Sequence, residues 1–325
     1  MTPETADEVV NLLYRAILRR TADPAGRANF TTLLLKGGSI ADLVRIFIES
    51  PEYCGKSLSP HAPTPLRPFV PLGSAPMTVE CRASPAELAS LIERVGAAWA
   101  KLGREQPYFS VITGEEFLPG NLTDISIERF WGSGKDEAIE IEAILARHGL
   151  LNLSSLTCVE YGCGLGRVTQ PLATVFKQVH AYDISLPHIM LAREWAARYD
   201  NIDFHQVTSD IFGVDVHPCD FFYSRLVFQH NPPPVIAELI RLSLRALRPG
   251  GMAVFQVPTY ATDYSFKIKD YLADNDTENM EMHFIPQTEV IRLIAEADCR
   301  LLEIREDGSI GKLGHWISNT FIVQN

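Results

Sequence analysis

Cys158-Val159-Glu160-Tyr161-Gly162-Cys163-Gly164-Leu165-Gly166-Arg167 decides how the rest of this 325-residue chain is read. An apolar run closes on an acid, and three alternating glycines then lead into a helical pattern. Glycine lets the backbone come close to a ligand without a Cβ clash, and a helix start offers unpaired N–H groups to an anion. A dinucleotide site uses G-x-G-x-x-G to cradle a pyrophosphate. Here the spacing is G-x-G-x-G with Glu160 two residues ahead, an acid that repels a pyrophosphate. An acid beside N–H donors suits a ligand carrying both an ammonium and a carboxylate, such as an amino acid tail.

Downstream, short apolar runs alternate with helical stretches, the pattern of a parallel sheet covered on both faces. Strands are expected at 156–161, 179–183, 202–207, 219–224 and 252–257, with helices over 165–176, 187–199 and 233–247. A helix near 287–297 and two strand runs around Asp307-Gly308 close the chain as antiparallel neighbours. The second strand ends in Tyr182-Asp183-Ile184-Ser185, where an acid can take both hydroxyls of a ribose. The third is followed by Thr208-Ser209-Asp210-Ile211, where Asp210 offers an acceptor to an exocyclic amine and Ile211 a cover for a base. Together these pieces describe a pocket for an amino acid joined to adenosine.

With those residues, 105–325 resembles a class I S-adenosylmethionine-dependent methyltransferase. The resemblance implies a Rossmann-like α/β fold with a seven-stranded sheet whose last strand is antiparallel. It assigns Glu160, Gly162, Gly164 and Gly166, with Cys163 in the same turn, to the methionine part of the cofactor. Asp183 with Ile184 goes to the ribose and Asp210 with Ile211 to adenine; Ser224, ending the fourth strand, joins the cofactor-binding set. The acceptor side is expected from Ser224–Asn231, the insert 258–286, and His315 with Trp316. The helices ahead of the sheet, with Tyr108, Phe109 and 130–134, resemble a lid; plain core is the alternative for Trp131. His230 is the expected catalytic base for a hydroxyl acceptor; the alternative is a buttress for a helix capped by Asn231-Pro232.

Residues 1–55 read as a small all-helical domain. Thr5-x-x-Glu8 is a capping box, Asp23-Pro24 an N-cap with proline at the first helical position, and Ser39-x-x-Asp42 starts a third helix. Leu13–Tyr53 resembles the phycobilisome-linker-like domain of bacterial glycosyltransferases and cell-surface proteins, which implies a protein-docking role and points toward glycans. Six of the chain's 21 prolines fall in 56–79, read as a linker, the alternative being an ordered arm draped over the second domain. The remainder, 80–325, is the expected methyltransferase domain, with helices from Ser84-Pro85 and over 139–150.

Composition narrows the rest. Hydrophobic residues make up 46% of the chain, enough for a sizeable core, and no apolar run is long enough to span a membrane. A net charge of −11 disfavours a nucleic-acid partner. The acidic start fits no secretory signal. Six scattered cysteines without a C-x-x-C pair suit a reducing compartment, so a cytoplasmic bacterial enzyme is expected. No metal is expected: the fourth-strand loop carries no carboxylate, and Asp274-x-Asp276-x-Glu278 lacks the glycine and final acid of a calcium loop. His205 and His217 are read as facing solvent. The functional expectation is O-methylation of a sugar or glycan hydroxyl. N-methylation, or carboxyl or hydroxyl methylation of another small molecule, is the alternative. A catalytically silent scaffold and a nicotinamide-dependent oxidoreductase are the other classes considered.

Overall fold

The computed structural model describes residues 2–18, 20–48, 50, 69–208, 216–274, 280–310 and 314–325. These fall into two compact units, 1–68 and 69–325.

The first unit holds three helices, α1 (Pro3–Ile17), α2 (Pro24–Leu35) and α3 (Ile40–Ile48). Asp23 caps α2 by accepting the Gly26 N–H, and Ser39 and Asp42 cap α3 reciprocally. The first helix starts earlier than Thr5-x-x-Glu8 suggested, because Thr2 accepts the Thr5 N–H and Pro3 takes the first turn. Tyr14, Phe30 and Phe47 pack into its core, Phe47 meeting both others edge-on at 4.9 Å.

The second unit begins inside the segment expected to be a linker. Met77 Sδ lies 3.2 Å from the Ala261 N–H, and the Ala75 carbonyl accepts the Tyr260 hydroxyl at 2.7 Å. Strand β1 (Thr78–Val79) pairs in parallel with β7 (Ser265–Phe266). The proline-rich reading therefore fails from Ala75 onward, where apolar Met77 and Val79 find partners in the second unit. Helix α4 (Pro85–Glu105) follows, closed at its start by a Ser84–Glu87 capping box.

The main sheet is built from β2 (Thr157–Tyr161), β3 (Gln178–Asp183), β4 (Ile202–Gln206), β5 (Cys219–Ser224), β6 (Leu247–Ala261), β8 (Arg300–Asp307) and β9 (Trp316–Gln324). Their order is β4-β3-β2-β5-β6-β9-β8. All neighbours are parallel except β9, which runs antiparallel to both β6 and β8. This is the mixed α/β sheet with its antiparallel last strand that the sequence implied. Strand alternation divides the core in two. Val159, Phe222, Phe255 and Phe321 face one side, while Cys158, Phe221, Val254 and Ile322 face the other. Strand β6 is much longer than the expected 252–257, because it already pairs with β5 at Leu247 and β9 continues pairing as far as Ala261–Trp316. The register slips between Pro258 and Tyr260, beside a residue with no N–H to give.

Helix α5 (Asp124–Arg147) also exceeds the expected 139–150, with Gly149 at φ +82° just beyond its end. Helices α6 (Thr169–Val175), α7 (Leu186–Trp195), α8 (Pro233–Arg245), α9 (Ile268–Ala273) and α10 (Gln287–Glu296) complete the unit. No described helix is long and apolar enough to cross a membrane.

The two units have separate hydrophobic cores, so removing residues 1–68 should leave a folded fragment with a cooperative melt. Removing 1–79 also deletes the β1–β7 pairing and the Ala75 contact, and should lower Tm by several degrees more. Equal melting temperatures for the two fragments would show that 69–79 adds nothing to the fold.

Candidate active site

The glycine turn is held by the strand beside it. The Gly162 and Cys163 N–H groups both donate to the Tyr182 carbonyl, at 2.7 and 2.9 Å. The Gly164 N–H donates to Asp183 Oδ2 at 2.8 Å, and Asp183 Oδ1 accepts the Ser185 N–H. Three N–H groups expected to await a ligand are thus already engaged, and α6 begins only at Thr169, beyond the last glycine. Gly162 and Gly164 sit at φ +83° and +53°, where a side chain is strained. A Cβ on Gly162 would stand 2.1 Å from Val227 Cγ2.

Helix α5 approaches the turn just as closely. A Cβ on Gly134 would lie 2.0 Å from the Arg167 carbonyl oxygen, so only glycine lets helix and turn touch backbone to backbone. One helical turn on, Glu137 accepts from Arg167 Nη2 at 2.6 Å and from the Tyr223 hydroxyl, with Arg225 3.8 Å away.

These groups surround a partly open cleft of about 870 Å³ at the carboxyl ends of β2, β3 and β5. Glu160, Glu137 and Asp183 line it together with Arg167 and Arg225, three acids against two cations. Glu160 is buried, and its Oε2 accepts the Thr169 hydroxyl at 2.5 Å. Burial, with the charges of Glu137 and Asp183 adding to it, pushes its pKa up to about 8, against the Thr169 bond and Arg167. Ligands of doubly wound sheets bind at this edge.

A family model described as a methyltransferase domain matches residues 134–304, more than half of the chain. The chain belongs to this methyltransferase family. The expected activity class and its cofactor, S-adenosylmethionine, agree with that membership. A search of curated proteins finds no match. Among solved structures, a magnesium protoporphyrin IX methyltransferase from Synechocystis PCC 6803 is similar at 15% identity. It covers 71% of this chain and 98% of its own, with a TM-score of 0.49. An N-methyltransferase from Bradyrhizobium japonicum WM9 is similar at 17% identity, covering 70% and 98%, with a TM-score of 0.45.

Of the residues singled out in the sequence, Glu160, Gly162, Cys163, Gly164, Asp183 and Ile184 line the methyltransferase cleft. Gly166 shapes the turn, donating its N–H to the Cys163 carbonyl. Ser224 does not line the cleft; its hydroxyl donates to the Tyr161 carbonyl at 2.9 Å and ties β5 to β2. Asp210 and Ile211, like Asp276 and Glu278, lie outside the described residues. The stretch expected to form a lid is core instead. Phe130 is fully buried with Tyr108, Phe117 and Leu165 of the glycine turn, and Trp131 packs against Trp195 at 5.5 Å.

The sequence reading missed Glu137, because placing the helix start at 139 left it in a loop. Two glycines, Gly132 and Gly134, weaken the helical signal there. Arg167 and Arg225 stood beside quoted motifs with no assigned role. His188 was overlooked on α7: it is buried in the cleft wall, its Nε2 2.9 Å from the Ser110 hydroxyl oxygen.

Ser110, Val111 and Leu226 are shared with a neighbouring pocket of about 840 Å³. Gln229 and His230 line it from the loop after β5, Met280 and Met282 from the insert, and Trp316 from β9. His315 is exposed, and buried His283 is tied to the Tyr264 hydroxyl at 2.9 Å. His230 lines this pocket and not the cleft. Its two ring nitrogens are both engaged, in a chain whose direction is forced from one end. The Leu226 N–H donates to Gln256 Oε1, the Gln256 amide to Gln229 Oε1, and the Gln229 amide to His230 Nε2. His230 Nδ1–H then donates to the Glu281 carbonyl at 2.9 Å. Burial holds the His230 pKa down to about 4, so the ring is neutral near pH 7.

Glu160 gives the free enzyme a pH signature. A carboxyl whose folded pKa lies above its unfolded value stabilises below the unfolded value and loses that contribution as pH rises through the folded one. Thermal stability should therefore fall between about pH 5 and pH 8, and Glu160→Gln should flatten that slope. Parallel profiles for the two proteins would refute the buried-acid assignment.

Proposed function

We propose that this methyltransferase places the sulfonium methyl of S-adenosylmethionine on a hydroxyl of an uncharged acceptor, a sugar or glycan hydroxyl suiting its pocket best. The observation that carries the reading is the second pocket. Among its described lining residues there is no Asp, Glu, Lys or Arg. A charged amine, carboxylate or phosphate would find no oppositely charged partner among those described residues and would be desolvated at a cost. Ser110, Thr113, Gln229 and Ser309 offer hydrogen bonds to hydroxyls, while Trp316 and the two methionines offer an apolar face to C–H groups.

The cleft residues fit the cofactor chemically. Glu160, held near neutrality by burial, becomes a full carboxylate when an ammonium enters beside it, releasing a proton. Asp183 keeps one lone pair on each oxygen after its two backbone bonds, enough for two ribose hydroxyls. Asp210 with Ile211 is proposed for adenine on sequence alone. When bound, S-adenosylmethionine supplies an electrophilic methyl carbon. The chain's part is to hold the acceptor oxygen in line, roughly 3–3.5 Å from that carbon, and to exclude water.

The test is to incubate the enzyme with S-adenosylmethionine and matched neutral, amino and carboxylated acceptors, following mass gain by one methylene. Methylation of neutral hydroxyls with none of amines or acids is expected. Preference for an amine would overturn the acceptor class while leaving the cofactor assignment standing.

His230 has two readings. Its neutral ring in the acceptor pocket wall suits a proton acceptor, with an incoming hydroxyl displacing Gln229 from Nε2. The engagement of both nitrogens favours a positioning residue joining the β5 loop to Glu281. A base predicts that His230→Ala lowers kcat by roughly 10²- to 10⁴-fold and abolishes an acidic limb near pH 4. A positioning residue predicts a stability loss of roughly 1–3 kcal/mol from the stranded Gln229 amide, a raised KM and a largely preserved kcat. Full activity at unchanged Tm would remove both.

A further inference from the structure

Three histidines outside the cleft converge although no spacing along the chain hints at a cluster. His180 lies on β3 and His205 on β4, and in the parallel register His205 faces Tyr182, two residues along from His180. Positions two apart on a strand share a face, so both imidazoles emerge on the same side of the sheet. His217, just ahead of β5, folds over them. Its ring stacks on His180 at 3.9 Å between centroids and lies 4.8 Å from His205. His205 does not face solvent as expected: it is half-buried and stacks on Tyr182 at 4.6 Å. His217 alone of the three is exposed.

We propose that His180, His205 and His217 form a binding site for one borderline divalent metal ion of the zinc type, which clamps the start of β5 to the edge strands β3 and β4. One ligand atom from each ring lies within 4.8 Å of the other two. His180 Nδ1 and His205 Nε2 are already 3.3 Å apart. Two nitrogens on a tetrahedral zinc, each bonded at about 2.0–2.1 Å, stand roughly 3.3–3.4 Å from one another. Two of the three ligands are therefore at coordination spacing, and only the exposed ring has to swing out of its stack.

Partners that orient metal-bound imidazoles are also present. The Tyr182 hydroxyl is 2.6 Å from His217 Nδ1 and accepts the His217 N–H, tethering the residue at one ring nitrogen and at its backbone while the ring turns. That contact leaves Nε2 of His217 to reach the ion. Asp203, paired with His180 across the strands, brings a carboxylate oxygen to 3.5 Å from His180 Nδ1. Lying at the ligating nitrogen itself, that carboxylate is placed to serve as a fourth ligand. Three imidazoles with a nearby oxygen select zinc, copper or nickel over magnesium or calcium, which take oxygen ligands. The site lies apart from the cleft, since none of its three histidines lines it. Its effect is mechanical: a closed metal site contributes its binding free energy to the fold.

The experiment uses tag-free full-length protein, stripped with chelator and titrated with Zn²⁺ by calorimetry, with Co²⁺ as the optical probe. One equivalent should bind with a Kd of micromolar or tighter, Co²⁺ should give the visible bands of a low-coordinate nitrogen site, and saturating Zn²⁺ should raise Tm. His217→Ala, at an exposed position, should keep the fold by circular dichroism yet bind at least tenfold more weakly and lose the Tm rise. His180→Asn should behave likewise. Zn²⁺ binding as tight in His217→Ala as in wild type would assign the ion to other histidines or cysteines and overturn the proposal. So would a Co²⁺ complex without visible bands.

Discussion

A single carbonyl, that of Tyr182, carries the geometry on which the cleft depends. It accepts two successive N–H groups of the glycine turn, and Asp183 takes the third. An unpaired buried backbone donor costs roughly 1–3 kcal/mol, so each bond that holds the turn against β3 also removes a penalty. Every other wall is placed against this turn. Helix α5 meets it at Gly134, Leu165 seals it into the aromatic cluster around Phe130, and Val227 closes over Gly162. A turn this constrained on three sides presents its backbone as a rigid surface.

The electrostatics of the cleft follow from how few cations it contains. Arg167 and Arg225 are directed at Glu137, leaving Glu160 without a basic side chain in hydrogen-bond contact. A buried acid in that position resists ionising, and a cation arriving beside it gains what water would otherwise supply. The same arrangement keeps the Tyr223 phenol protonated, donating to Glu137. The neighbouring pocket has a different character, its described lining built from hydroxyls, one amide, an imidazole, aliphatic side chains, two methionines and an indole. A cleft lined by acids and arginines thus adjoins a pocket whose described lining has neither, with Ser110, Val111 and Leu226 as the shared wall.

The parts legible in the sequence were those governed by local rules. Period-two apolar runs located β2, β3, β4 and β5 to within a residue or so, and Asp23, Ser39 and Ser84 marked helix starts that the chain uses. The glycine spacing pointed to the right turn for another reason, close approach to a ligand, whereas positive φ and the nearness of Val227 are what require glycine there. What escaped was set by distant partners. Glycines at 132 and 134 read as a break, although Gly134 is small because a backbone oxygen from residue 167 occupies the space of its side chain. Strand β6 looked six residues long because its outer half is stabilised only by β9. Met77 and Val79 looked like linker until their partners around 260–266 were in place. The three histidines are 25 and 12 positions apart in sequence, and only the parallel register brings them together.

The amide chain from Leu226 to Glu281 has a polarity. Every member donates in one sense, so no single amide can be reversed without setting donor against donor at one end and acceptor against acceptor at the other. Such a row behaves as one object: it is either wholly formed or open along its length. Leu226, at its head, is a non-glycine residue at φ +60° in the wall between the two cavities, while His230, near its tail, touches only one of them. The strained backbone at one end and the imidazole at the other are therefore joined by one unbroken row of hydrogen bonds that starts in the wall shared by the two cavities and ends in the lining of the second.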